Sequence, residues 1–147
     1  MTSEVRLTEW TDCGGCAAKW GATALRGLVD ELPSSVDADL LVGLSPSDDA
    51  AVHRVAEDLA IVATADFFPP LVDDPADFGA IAAANACSDV FAMGARVTVA
   101  LNLSAFPEAL PRAAVGAILG AAAETVRAAG GTTAGGHTIR SAEPIFG

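Results

Sequence analysis

The stretch from Asp66 to Asp89 constrains this chain more than any other. From Phe78 to Met93 the residues are nearly all small (Ala80, Ala82, Ala83, Ala84, Ala86), so a helix there lets a neighbouring backbone come close. Its start is marked by Asp74 as N-cap, Pro75 at the first helical position and Asp77 at the third, suiting the positive end of the helix dipole. Asn85 and Asp89 lie four apart and so share one face. On a helix this apolar they either form an outward, solvated stripe or line a site. Upstream, the apolar run Leu59 to Ala65 has strand length and ends at Asp66, and a carboxylate at the end of a buried strand is a common ligand position. Asp48-Asp49 forms a third acidic point. Converging carboxylates repel one another and stay ionised together only with cations between them. Mg²⁺, which takes oxygen ligands and retains waters, suits such a set together with phosphate oxygens. The expectation is that these aspartates hold divalent metal, and that the metal holds a nucleotide's phosphates.

Charge alone favours a plainer reading, an acidic surface that serves solubility, and is awkward for a phosphate ligand unless metal brings positive charge. The net charge is −11, with seven arginines and the single Lys19 as the only cations, which disfavours nucleic acid as a partner. No Gly-x-x-x-x-Gly-Lys-[Ser/Thr] loop is present, so a bound polyphosphate is neutralised by metal rather than by a P-loop. A length of 147 residues with 52% apolar residues predicts one domain with a real core. No apolar run reaches the roughly 18 residues of a membrane span, and residues 1–8 lack a secretory pattern, so the expected location is cytoplasmic. Three cysteines argue against a disulfide framework. Cys13-Gly14-Gly15-Cys16 is a lone C-x-x-C, a weak signal for zinc or redox chemistry, and Cys87 reads as a small buried residue.

Along the chain, residues 1–9 read as a mobile polar lead-in and Thr11–Lys19 as a turn-like segment around Gly14-Gly15, which suits close backbone approach to a ligand. Helical spacing at Ala22, Leu25, Leu28, Val29 and Leu32 ends at Pro33, and residues 34–39 form a loop. Strands are expected at 40–43, 50–55, 59–65 and 96–103, the last with Val97, Val99 and Leu101 on one face. Pro111 opens a helix whose apolar face carries Val115, Ile118, Leu119, Ala122 and Val126, and Gly130-Gly131 stops it. A brief strand at 132–134 leads into Gly135-Gly136-His137-Thr138, read as a phosphate-contacting loop, and Ile145-Phe146 starts a further strand. The alternation predicts α/β or α+β, with helices on one face of a mixed sheet.

The ordered set Asp48-Asp49-Ala50-Ala51-Val52, Asp66-Phe67-Phe68, Asp73-Asp74-Pro75 with Asp77-Phe78-Gly79, Asn85 to Gly94, Ala134 to Ile139 and Pro144-Ile145-Phe146-Gly147 resembles the N-terminal part of the selenophosphate synthetases (selenide, water dikinases) over residues 7 to 147. The resemblance implies the ATP-binding half of the aminoimidazole-ribonucleotide-synthetase-like α+β fold, lacking its last strands and the C-terminal domain. Residues 1–20 would be a flexible glycine-rich segment bearing Cys16 and Lys19, and residues 21–147 the ATP-binding and dimerisation domain. It implies a homodimer and a Mg²⁺-dependent reaction in which ATP, selenide and water give selenophosphate, phosphate and AMP.

Residue by residue, the resemblance makes Cys16 the reactive position and Lys19 the lysine beside it, a soft nucleophile with a cation that favours its thiolate. It makes Asp49, Asp66 and Asp89 metal ligands. Lys19, Asp66, Asp89, Pro46-Ser47-Asp48 and Gly136-His137-Thr138 would contact the nucleotide. Two departures stand out. Ala18 occupies a position where many members carry a second cysteine, with Cys13 an unmatched thiol, and the family's chain continues past Pro-Ile-Phe-Gly with another metal-binding aspartate. Rival readings are a related Mg-ATP enzyme of the same fold, such as thiamine-monophosphate kinase or the hydrogenase-maturation carbamoyl-dehydratase, and a non-catalytic dimerisation module.

Overall fold

The computed structural model describes residues 5–32, 37–44 and 48–147, without the side chains of Cys16 and Ala22. Pro33 and the first part of the loop expected after it lie outside the described residues, as do Pro46 and Ser47. Two short 3-10 turns, Leu7–Trp10 and Gly15–Ala18, precede helix α1 (Ala22–Asp30). Strands β1 (Leu40–Val42), β2 (Ala51–Ala56) and β3 (Leu59–Ala63) follow, then α2 (Pro75–Ala92), β4 (Val99–Phe106), α3 (Arg112–Ala128), β5 (Thr132–Arg140) and β6 (Ile145–Phe146).

The architecture is α+β, as expected, and among the described residues its strands form two three-stranded sheets. The first is antiparallel, in the order β1-β2-β3; the second runs β5-β4-β6. In the second sheet β4 and β5 are parallel, joined through α3 as parallel strands require, and β6 is antiparallel to β4. An isolated antiparallel bridge links Phe68, in the chain after β3, to Phe146 of β6.

The core lies between the second sheet and the α2–α3 pair. Phe78, Phe146 and Ile118 are fully enclosed, and burying side chains of this size stabilises by roughly 1.5–3 kcal/mol each. Phe78 meets both Phe68 and Phe146 edge-on, with ring centroids 6.1 and 6.3 Å apart, and Phe146 stacks on Phe106 at 6.4 Å. The α2 start is as expected: the Asp74 carboxylate accepts from the Asp77 amide at 2.9 Å, with Pro75 at the first position. The small residues of α2 serve contact with α3. A Cβ built on Gly79 would stand 2.1 Å from the Ile118 carbonyl oxygen, so only glycine permits this spacing.

Three sequence expectations are corrected by the packing. First, β4 begins at Val99, and Val99 and Leu101 point away from the helices (61% and 64% exposed), while Ala100 and Phe106 face the core. Alternation finds the two faces of a strand and does not say which face the helices cover. Second, Gly135-Gly136-His137-Thr138 belongs to β5 and pairs with Leu101 to Ser104, so it is not a loop. The register slips between Ala100 and Leu101 on β4, and the two glycines take φ values of 146° and 149°. A Cβ on Gly136 would lie 2.1 Å from the Asn102 carbonyl oxygen, so this glycine serves strand pairing. Third, residues 7–9 pack as part of the domain rather than as a free lead-in. Leu7 is fully buried and its amide donates to the Asp73 carbonyl. The Asp73 carboxylate accepts from the Thr8 amide and hydroxyl and pairs with Arg6 at 3.1 Å. By contrast α1 has the expected spacing, yet Leu25 and Leu28 are exposed.

Gly79→Ala should destabilise the domain by about 1–3 kcal/mol in chemical denaturation, because α2 and α3 must separate; an unchanged midpoint would contradict the close approach. The Thr8 hydroxyl, followed by Arg6, holds the Asp73 carboxyl below its usual range. A depressed carboxylate pKa contributes stability above the unfolded value near 3.9, and that contribution is lost as pH falls through the folded value. The Tm difference between the parent chain and Asp73→Asn should therefore be present at pH 7 and shrink towards pH 3. An equal difference at both would remove Asp73's charge from the account.

Candidate functional site

Beyond β3 the chain stays extended, and period two puts Thr64 and Asp66 on one side of it. That side meets the polar face of α2. The Thr64 hydroxyl donates to the Asp89 carboxylate at 2.7 Å, and the Asn85 amide donates to Asp66 Oδ2. The solvated-stripe alternative is thus excluded, because Asn85 and Asp89 are half-buried against the Thr64–Asp66 segment. One turn of α2 and two residues of extended chain bring two carboxylates into a single hydrogen-bonded patch. Thr64 is the member that sequence reasoning missed, although its i, i+2 relation to Asp66 was a usable signal.

Lys19 closes the patch from a third direction. Its Nζ lies 3.0 Å from Asp66 Oδ1, with Asp66 only 18% exposed and Lys19 50%. The segment carrying Lys19 is fixed by its neighbours. The Gly15 amide donates to the Pro69 carbonyl at 3.0 Å, and a Cβ on Gly14 would meet the Pro70 carbonyl oxygen at 2.1 Å. The backbone that the glycine pair approaches is therefore Pro69-Pro70 of the protein itself. The Thr11 hydroxyl donates to Glu143 at 2.6 Å and accepts from the Cys13 amide at 3.4 Å, tying the same segment to the turn before β6. Thr11 and Glu143 are likewise partners that the sequence pattern did not single out. Cys16 sits in the 3-10 turn Gly15–Ala18, three residues before Lys19, and its side chain lies outside the described residues. Cys13 is exposed, and Cys87 is buried on α2, where burial pushes its thiol pKa up.

The remaining predicted residues stand apart from this patch. Asp49 precedes β2, and because Ala51 pairs with Ala63 it lies at the sheet end where Asp66 follows β3. Both Asp48 and Asp49 are exposed, and the Asp49 amide donates to Asp48 at 2.9 Å. Among the described residues no three His, Cys, Asp or Glu side chains stand close enough to hold one metal ion. The pair Asp66 and Asp89 fits Mg²⁺ in a different way, since that ion commonly takes one or two carboxylates with waters and substrate phosphates. His137 and Thr138 are exposed on β5, opposite Leu103 and Ser104 of β4. No helix among the described residues is long and apolar enough to cross a membrane.

Comparison of the sequence with known proteins identifies its family. The chain is 52% identical over 142 residues to a protein of Myxococcus xanthus named selenide, water dikinase, covering 97% of this chain and 40% of that one. It is 48% identical over 147 residues to a protein of the same name from Caldanaerobacter subterraneus subsp. tengcongensis, covering 100% of this chain and 42% of the relative. A third, from Carboxydothermus hydrogenoformans, is 46% identical over 143 residues, covering 97% and 42%. The chain thus spans about two-fifths of the length of these relatives. The sequence pattern of the AIR synthase related protein N-terminal domain matches residues 47–147, more than half of the chain, and the chain belongs to that family.

Proposed function

We propose that this chain is the nucleotide-binding part of a selenide, water dikinase, in which ATP, selenide and water give selenophosphate, phosphate and AMP. The observation that carries the reading is the patch in which Lys19 and Asn85 both engage Asp66 while Thr64 holds Asp89. Relatives bearing that enzyme's name match nearly the whole chain, which supports the same reading. Cytoplasmic location is part of the proposal.

Mg²⁺, when bound, would neutralise phosphate charge, and Asp66 and Asp89 would hold it, with Asp49 joining from the same end of the sheet. Asn85 and Thr64 orient the two carboxylates by occupying one oxygen of each. Lys19 balances Asp66 and is proposed to turn to a phosphate when metal takes over that carboxylate. Cys16, held on a turn docked against Pro69-Pro70, is the thiol proposed to meet selenide. Asp48, Gly136, His137 and Thr138, together with Pro46 and Ser47, are proposed to contact the nucleotide. Phosphoryl transfer depends mainly on such positioning and charge neutralisation.

A homodimer is also proposed. Val99 and Leu101 of β4 and Ile139 of β5 leave exposed apolar side chains on one face of the second sheet, and this face is the proposed pairing surface.

Phosphorus NMR of Mg-ATP with this chain, run anaerobically with and without selenide, separates binding from turnover. Line broadening should appear with the parent chain and vanish with Asp66→Asn or Asp89→Asn; broadening that survives both would sink the metal-site assignment. In a chain that turns over, Cys16→Ser should abolish selenide-dependent AMP formation while leaving ATP broadening intact. Lys19→Met should lower kcat by roughly 10²-fold, as expected for losing one charged donor to the transferring group. Full activity in either variant would return the loop to a structural role. Analytical ultracentrifugation should show a dimer that Leu101→Asp disrupts; a monomer at high concentration would contradict the pairing.

A further inference from the structure

The segment that carries Cys16 and Lys19 takes its position from the chain before it. Downstream, Trp20 is exposed and α1 leaves Leu25 and Leu28 in solvent, so packing on that side holds it weakly. Upstream, Leu7 is fully buried, and Thr11 leaves the 3-10 turn Leu7–Trp10 in extended backbone. The Thr11 hydroxyl lies between two acceptors, Glu143 Oε2 at 2.6 Å and the Cys13 carbonyl at 3.0 Å, and the Cys13 amide points at its oxygen from 3.4 Å. A hydroxyl has one proton to give. The carboxylate is the closer and stronger acceptor, so it takes that proton and leaves the hydroxyl oxygen to accept from Cys13.

Glu143 is a fixed post for this bond. It stands in the turn between β5 and β6, and the next residue, Pro144, is fully buried. The Ser141 hydroxyl donates to the Glu143 carbonyl, and the Ser141 amide donates to the Phe106 carbonyl at 3.3 Å. A group on so constrained a turn orients its partner well. Register matters downstream of Thr11. A Cβ at Gly14 would stand 2.1 Å from the Pro70 carbonyl oxygen, so a slide by one residue would press a cysteine or alanine side chain against Pro69-Pro70.

We propose that Thr11 and Glu143 are positioning residues: their hydrogen bond sets where the Cys16–Lys19 segment lies on Pro69-Pro70, and so brings the Lys19 ammonium to Asp66. Four contacts then follow in order along the chain. Thr11 meets Glu143, Gly14 packs on the Pro70 carbonyl, the Gly15 amide donates to the Pro69 carbonyl, and Lys19 pairs with Asp66. For the placement of the segment this inference is independent of the proposed reaction; for catalysis it rests on that reading.

Lys19 is the single lysine of the chain, so isotope labelling of lysine gives one ε-methylene signal. Thr11→Val keeps the side-chain shape and removes the hydroxyl, whereas Thr11→Ser keeps the hydroxyl and removes the methyl. Thr11→Val and Glu143→Ala should both move the Lys19 signal towards its position in Asp66→Asn. Both should speed amide exchange at Gly15 roughly tenfold, while the Phe146 amide, bonded to the Phe68 carbonyl, exchanges as in the parent chain. Thr11→Ser should keep the parent signal. An unmoved Lys19 signal in Thr11→Val and Glu143→Ala would overturn the proposal. So would equal movement in Thr11→Ser, because the methyl rather than the hydroxyl would then hold the segment. In selenide-dependent AMP formation, Thr11→Val should lower kcat at least roughly tenfold with KM for ATP unchanged, and Thr11→Ser should restore it; a displaced Lys19 with unchanged kcat would overturn the positioning role. The Lys19 and Gly15 readings need no substrate, so a parent chain that forms no AMP counts against the dikinase reading and not against this one.

Discussion

The backbone exchange between Phe68 and Phe146 holds the rest of the structure in place. Among the described residues it ties the chain after β3 to the second sheet, and it seats Phe146 between Phe78 and Phe106. Phe68 follows Asp66 by two residues, so the same bridge fixes the extended segment that carries Asp66 and Thr64. The Pro69-Pro70 segment that follows is the surface on which Gly14 and Gly15 dock. Core aromatic packing, the acidic patch and the loop bearing Cys16 and Lys19 are therefore set by one short run of chain.

Charge and packing divide the labour around that run. In the patch Lys19 and Asn85 engage Asp66 while Thr64 engages Asp89. A half-exposed ion pair of this kind contributes little to stability, so its value is positional. Stability comes from the α2–α3 contact, where Gly79 admits Ile118, and from the buried phenylalanines beneath the second sheet. The site can thus exchange partners without loosening the core.

The N-terminal segment joins the two. Asp73 gathers Arg6, Leu7 and Thr8, and Thr11 reaches Glu143, so the chain before Cys16 is anchored at both ends of its path across the domain. Such anchoring restricts where Lys19 and the thiol three residues before it can go, which matters for chemistry that depends on placement.

Local rules carried much of this into the sequence. The Asp74-Pro75-Asp77 start of α2, the strand before Asp66, the shared face of Asn85 and Asp89, and the helix opened by Pro111 follow from capping, period and spacing, which act within a few residues. The Lys19–Asp66 pair was only half legible: its members could be named, but 47 residues separate them. Other features were decided by tertiary structure alone. Which face of β4 the helices cover depends on where α2 and α3 settle, and the glycines of β5 became strand because Gly136 fits against the Asn102 backbone. Docking of residues 7–9 rests on Asp73, more than 60 positions away. Residue types and local spacing determined the helices, most strands and the identity of the acidic groups; contacts between distant segments decided which of those groups meet, because burial and backbone pairing are properties of the assembled fold.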